Sequence, residues 1–387
     1  MIAHLPLILK NSVRNKRRSI LTTLSIAASM CLLGMLMAVY HAFYLSPATA
    51  DQALRLVVRN KVSLGNPLPV SYQARIRGVR GVREVTIFQW FGGTYKDARD
   101  PANFFARFAV DPANFLAVYP DIDVQEDQRK AFLAERRSCL IGKKTAARHG
   151  FKLGDRITVT GDIFPVTLEF TVRGFFEAEG DNESLYFHYD YLNEALGAGS
   201  RRDYVGSFVV RLESAGDATP SSKAIDDMFR NAPFPTKTET EKAFEISFLA
   251  FLGNVKLFLF SICAAVTFTI LLVAGNTMAM SVRERAREVG VLKTLGFTRG
   301  MVMSLLVGES LVLAVTGGVL GIALAEGLCS LIRQAPSTFA NMSRIAVLPS
   351  LAALTLVAAA VIGLASSMIP AWSASRRSIV EALRVTD

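Results

Sequence analysis

Few residues in this sequence have the type and spacing to do chemistry. Gly142-Lys143-Lys144-Thr145 comes nearest to a phosphate-binding loop. Such a loop needs Gly-x-x-x-x-Gly-Lys-Ser/Thr between a strand and a helix, so that backbone N–H groups cradle the phosphates. The first glycine is missing at that spacing, and nucleotide binding is not expected here. His41, His149 and His188 are scattered, with no serine or cysteine partner that the sequence sets beside them. Asp226-Asp227 reads as the exposed face of a short helix rather than a catalytic pair. Cys31, Cys263 and Cys329 lie in apolar runs, where cysteine behaves as a small hydrophobe. Cys139 stands alone in a polar stretch, so no disulfide can form within it. No Cys/His spacing suits a metal. Glu309 and Glu326 lie inside an apolar run. A charge at the bilayer centre costs about 2.5–3.5 kcal/mol on insertion scales, so each must sit near an interface, be paired, or be protonated. Glu309 is about two or three helical turns from one end of its run and Glu326 lies near the other, which favours a structural role over a proton relay. These residues form no catalytic constellation and no cofactor or metal site, so the chain is not expected to be an enzyme.

The elements that would position these residues are mostly membrane spans. The chain is 387 residues long, 51% hydrophobic and 20% charged, with a mean hydropathy of +0.32. Its net charge of +10 would ordinarily raise nucleic acid as a partner. From 45 to 250, however, it has 27 Lys/Arg against 27 Asp/Glu, and the basic excess lies beside apolar runs. Basic residues there set membrane orientation, and nucleic-acid binding is excluded. The first run, 19–45, is too long for the apolar core of a signal peptide and is expected to be retained as a span. The second, 246–282, is longer than a bilayer core requires, which predicts a continuous helix whose first turns stand outside as a stalk. The third and fourth runs are 300–333 and 347–372, with Pro349 in the first turn of the last, where a missing N–H costs little. The N-terminal segment 1–18 and the loop 283–299 with its flanks are rich in Lys and Arg, and so is the tail 373–387, whereas the connection 334–346 is poor in them. Both termini and the 283–299 loop are therefore expected to be cytoplasmic, in a multi-pass protein of a bacterial inner membrane.

The stretch 46–245, between the first two runs, is charge-balanced and broken by Gly and Pro into strand-length pieces. Strands are expected at 54–58 and 208–212, and short helices at 69–76 and 221–229. Between them, 156–160, 167–176 and 185–189 suggest a β-rich insert over about 130–200. The expected fold is a membrane protein with four transmembrane α-helices and a large α+β extracytoplasmic domain, in two subdomains, between helices 1 and 2.

The loop after the second run carries the most specific pattern. In Ser281-Val282-Arg283-Glu284-Arg285-Ala286-Arg287-Glu288-Val289-Gly290-Val291-Leu292-Lys293-Thr294-Leu295-Gly296-Phe297, the residues Val282, Ala286, Val289 and Leu292 share one helical face. Charges of both signs cover the rest. Gly296 suits a helix end and Thr298 can cap the next helix. The pattern alone fits an interfacial helix that only anchors the loop at the membrane surface.

The same stretch resembles, nearly residue for residue, the coupling region of MacB/FtsX-type ABC transporter permeases. The tail Pro370-Ala371-Trp372-Ser373-Ala374-Ser375-Arg376-Arg377-Ser378-Ile379-Val380-Glu381-Ala382-Leu383-Arg384 resembles the closing motif of that family, with Ile379 where it usually has proline. Glu309-Ser310-Leu311 followed by Gly317, Gly318 and Gly321 is similar to its third helix, and these glycines would permit close helix packing. The resemblance implies that Arg283, Glu284, Arg287, Glu288, Val289, Gly290, Leu292, Lys293, Leu295 and Gly296 couple the chain to a separate cytoplasmic ATPase. Val289, Leu292 and Leu295 would be its apolar anchors. ATP and magnesium would sit on that partner, with no cofactor in this chain. The resemblance further implies a homodimer or a pair with a related permease. It also allows a periplasmic adaptor and outer-membrane channel, and contact with membrane lipid. Export of an extracytoplasmic or outer-leaflet substrate by mechanotransmission is the implied function. Extraction of a lipoprotein or lipid is an alternative, and so is regulation of a cell-wall hydrolase without transport.

Overall fold

The computed structural model describes residues 16–178, 181–197, 201–251, 255–284, 286–334 and 345–376. They fall into two compact units, one of spans and one lying between the first two spans in sequence.

The chain begins with α1 (Lys16–Tyr40), whose last turns widen into a π-helical stretch, His41–Leu45. The second unit then runs α2 (Ala50–Ala53), β1 (Arg55–Asn60), β2 (Leu68–Pro69), α3 (Tyr72–Arg77), β3 (Val82–Trp90) and β4 (Arg107–Val110). Next come α4 (Pro112–Val118), β5 (Asp123–Val124), α5 (Glu126–Ala134), β6 (Ser138–Gly142), α6 (Lys143–His149), β7 (Arg156–Thr160) and β8 (Thr167–Glu177). The unit closes with β9 (Leu185–His188), α7 (Tyr189–Ala195), β10 (Tyr204–Val205), β11 (Ser207–Leu212), α8 (Ala218–Met228), β12 (Thr236–Thr240) and α9 (Glu241–Phe251). The remaining helices are α10 (Val255–Glu284), α11 (Ala286–Thr294), α12 (Arg299–Gln334) and α13 (Pro349–Arg376).

Ten strands form one mixed sheet in the order β12-β1-β11-β3-β4-β9-β6-β8-β5, with β7 on β8. The strands expected over 130–200 are joined to the rest by the parallel pair β4–β9, so the insert extends the main sheet. Side chains alternate between the sheet faces along a strand. Val85, Ile87, Cys139, Ile141, Leu185 and Phe187 accordingly point into one core, beneath α3, α6, α7 and α8. Leu140 and Tyr186 point into a second, smaller core with Phe115 of α4 and Phe132 of α5. The free edge of the sheet at β12 is sealed by α8. Asp226, expected on an exposed face, is half-buried and accepts hydrogen bonds from Thr236 Oγ1 at 2.9 Å, Thr238 N at 3.1 Å and Thr238 Oγ1 at 2.7 Å. An open strand edge would invite pairing with another chain, and the Asp226 carboxylate on the Thr238 N–H opposes that.

Among the described residues, four helices are long and apolar enough to cross a membrane: Ser19–Leu45, Leu257–Glu284, Arg299–Arg333 and Pro349–Arg376. The fourth begins at Pro349, where the ring sets the helical φ and no N–H is lost from the ladder. The residues expected to form a stalk and second span are helical over α9 and α10, and their continuity across 252–254 lies outside the described residues. So do the segment 1–15, the connection 335–344, Arg285, and the tail motif from Arg377 onward.

Candidate functional site

The 283–299 loop is built around α11. Two residues of its expected apolar stripe, Val282 and Val289, pack inside the chain. Val289 is 5% exposed and Val282 is equally buried, packed with Met278, Val302, Leu306, Ala371 and Ala374 where α10, α12 and α13 meet. Gly290 is buried beside them. Val289 thus seats α11 on its own bundle, where burial removes its apolar surface from water.

Polar bonds fix the same helix at its end. Lys293 Nζ donates to the carbonyl oxygen of Ser375 of α13 at 2.8 Å. Burial, and then the charge of Arg299, hold Lys293 below the usual lysine range. Gly296 ends the helix with φ +91°, its N–H reaching Lys293 O and that of Phe297 reaching Leu292 O, both at 3.1 Å. This double bond to the preceding turn is a Schellman ending, and it needs the left-handed conformation that glycine adopts without strain. Thr298 then caps α12, its hydroxyl accepting from Met301 N at 3.3 Å.

The opposite face of α11 is open. Arg287 is exposed, Val291 is 47% exposed and Leu295 is 72% exposed, at four-residue spacing along one stripe. Arg283 and Glu284 are exposed at the end of α10, and Glu288 and Leu292 lie half-buried at the margin. Val291 was not among the expected anchors. Its spacing from Arg287 and Leu295 was visible in the sequence, but the longer apolar stripe through Val289 masked it.

In the bundle, the glycines of α12 mark where helices touch. A Cβ on Gly317 would lie 2.7 Å from Ile26 Cγ2, and one on Gly321 2.7 Å from both Ala27 O and Met30 Cβ, all on α1. Gly318 faces α13 instead, 3.0 Å from Ala359 Cβ. Glu326 pairs with Arg333 at 2.8 Å and accepts Val347 N at 2.9 Å, so its charge is compensated near the end of α12. Glu309 is 3% exposed and borders a cavity of about 40 Å³ shared with Thr22, Thr277, Ser281, Ser310 and Ser366.

His188 is buried, its Nε2 lying 2.7 Å from Phe132 O and 3.3 Å from Ser138 Oγ, and burial lowers its pKa. No group of three or more His, Cys, Asp or Glu able to hold a metal occurs among the described residues. Two interior arginines had no sequence signal. Arg107 donates to Gly93 O at 2.9 Å and Asn103 O at 3.2 Å, stacks on Phe105, and is pushed down to about 10 by burial. The other, Arg55, lies at the base of β1.

Residues 19–228 match the family described as MacB-like periplasmic core domain, more than half of the chain, and residues 258–379 match FtsX-like permease C-terminal. An uncharacterised ABC transporter permease of Methanocaldococcus jannaschii is 25% identical over 317 residues, 80% of this chain and 77% of its own. The uncharacterised ABC transporter permease YknZ of Bacillus subtilis is 28% identical over 272 residues, 65% of this chain and 63% of its own. A macrolide export ATP-binding/permease protein MacB of Bdellovibrio bacteriovorus is 28% identical over 191 residues, 47% of this chain and 29% of its own.

Proposed function

This chain belongs to the MacB/FtsX-type family of ABC transporter permeases, and from that premise we propose that the open face of α11 docks a separate ATP-hydrolysing subunit. The carrying observation is the two-sidedness of α11. One side is seated on α10, α12 and α13 through Val289 and Lys293, and the other presents Arg287, Val291 and Leu295. A helix seated in this way passes a push on its outer face to three spans at once, instead of rolling on the membrane surface. The docked subunit holds ATP and magnesium, and this chain supplies no catalytic group. The basic flanks orient both termini and the 283–299 loop to the cytoplasm of an inner membrane. Two permeases, alike or related, pair within the lipid above two ATPases. Movement of the outer domain then acts on an extracytoplasmic or outer-leaflet substrate, as in export by an adaptor and an outer-membrane channel.

Buried apolar anchors dominate docking energies, and losing one costs about 2 kcal/mol, roughly thirtyfold in affinity. Leu295→Asp and Val291→Asp should each abolish co-purification of the ATPase in mild detergent. Leu153→Asp, at an exposed apolar position in the outer domain, should leave it intact. Full co-purification with both loop variants would remove the docking assignment.

A further inference from the structure

Both sequence connections between the outer domain and its neighbouring spans meet the first rung of β1. Arg55 of β1 stands directly opposite Arg211 of β11. Like charges so placed repel on an open sheet. Here each is engaged by acids from a different connection. Arg55 is 3% exposed, with Nε 2.6 Å from Glu241 Oε2 at the first residue of α9. Its Nη1 and Nη2 grip Asp121 at 2.7 and 3.3 Å, and the guanidinium lies 4.5 Å over the Tyr119 ring. Arg211 Nη2 lies 3.3 Å from Asp51 Oδ1 of α2, and its Nη1 donates to Val118 O at 3.2 Å.

α9 has two further ties. Gln52 Nε2 of α2 donates to Glu245 Oε1 at 3.1 Å. Ser247 Oγ donates at 3.1 Å to Glu239 Oε2, whose other oxygen pairs with Arg59 at 2.9 Å. α9 is therefore held at Glu241, Glu245 and Ser247. These ties run from its first two turns to α2, β1 and β12, so they fix its start against the sheet. Arg55 is central among them, because burial pushes the Glu241 carboxyl above the usual carboxylate range while the guanidinium opposes that shift.

We propose that Arg55 is a positioning residue that makes α9, the approach to the second span, part of the rigid body of the sheet. Displacement of that span then reaches β1 and α4 through the Arg55–Glu241–Asp121 joint instead of being absorbed by a yielding α9. The joint stands on geometry inside the outer domain. Its use in energy transfer rests on the proposed function above.

Hydrogen exchange of the full-length protein in lipid nanodiscs, read by mass spectrometry, tests it in two arms. In the resting protein, Arg55→Met should speed exchange of α9 amides at least tenfold and leave β3 and β8 within twofold of wild type. Glu241→Gln, which keeps the shape of the site, should give the same pattern more weakly and serves if Arg55→Met fails to fold. Unchanged α9 exchange in both variants, or acceleration spread over the whole sheet, would overturn the joint. In the second arm the complex is purified with its ATPase and given Mg-ATP and orthovanadate. A nucleotide-dependent change in β1 and α4 should appear in wild type and vanish in the variants, with ATP hydrolysis within twofold. Its persistence in the variants would overturn transmission through Arg55. Its absence from wild type would instead contradict the proposed function, and the resting comparison would still judge the joint.

Discussion

Replacing Gly321 by alanine should open the seam between α1 and α12. The added methyl would sit 2.7 Å from Ala27 O, 2.7 Å from Met30 Cβ and 2.9 Å from Cys31 N. Two of these are backbone atoms of a helix and cannot rotate away. Ordinary contact begins near 3.4 Å, so the helices must part by about 0.7 Å along this stretch. Gly317, one turn earlier, would lose its fit to Ile26 as the helices part. Forced overpacking of this kind costs about 1–3 kcal/mol, and in lipid no hydrophobic force between helices offsets lost packing. Gly327→Ala is the internal control, since nothing lies within 4 Å of a Cβ there and the helix is the same. The assay is unfolding of the purified protein by SDS in mixed micelles, followed by helical circular dichroism. Gly321→Ala should unfold at a lower SDS fraction than wild type, and Gly327→Ala at the same fraction or a higher one. Equal midpoints for the two variants would refute the close-packed seam.

Other consequences follow from the same geometry. Because burial lowers the pKa of His188 from 6.5, the unfolded chain binds a proton that the folded chain refuses. The stabilising effect is present above pH 6.5 and is lost as pH falls toward the folded value, at up to about 1.4 kcal/mol per pH unit. The melting temperature of the outer domain should fall between pH 7 and pH 5, and a flatter profile is expected of His188→Gln; identical profiles would contradict the buried neutral imidazole. A fragment of residues 47–252 should melt cooperatively and above one ending at residue 240, since only the longer fragment keeps the partners of Arg55 and Gln52 on α9. Equal melting would mean that α9 adds nothing to the domain. Gly296→Ala places a side chain at φ +91° and should destabilise the end of α11 by about 1 kcal/mol, detectable as faster exchange of the Phe297 amide.

The spans were legible because membrane insertion is decided by composition over about 20 residues, which a sequence displays directly. The strands β7 and β8 were legible from local alternation, as in the buried-exposed pattern of Arg156–Thr160, and β9 from its short apolar, aromatic run Leu185–His188. Their membership of one sheet was not, because it depends on the parallel pairing of β4 with β9 across a long crossover. The helix of the 283–299 loop, its glycine ending and the cap at Thr298 were all readable from short-range signals. Which face of it is free was not. Two apolar stripes run along the same helix, and only the positions of Met278, Val302 and Ala371 select Val289 for the inside. The joint at Arg55 left no trace in the sequence, since Arg55 and Glu241 are 186 residues apart and each reads alone as a surface charge.

The central claim, that the face of α11 carrying Val291 and Leu295 meets the ATPase, is most directly tested by photo-cross-linking in native membranes. A photoreactive phenylalanine analogue is placed in turn at positions 291, 295 and 289 of the full-length protein. Positions 291 and 295 should yield an adduct with a nucleotide-binding subunit identified by mass spectrometry, and position 289 should yield none. An adduct from 289 alone, or lipid adducts alone from 291 and 295, would contradict the account.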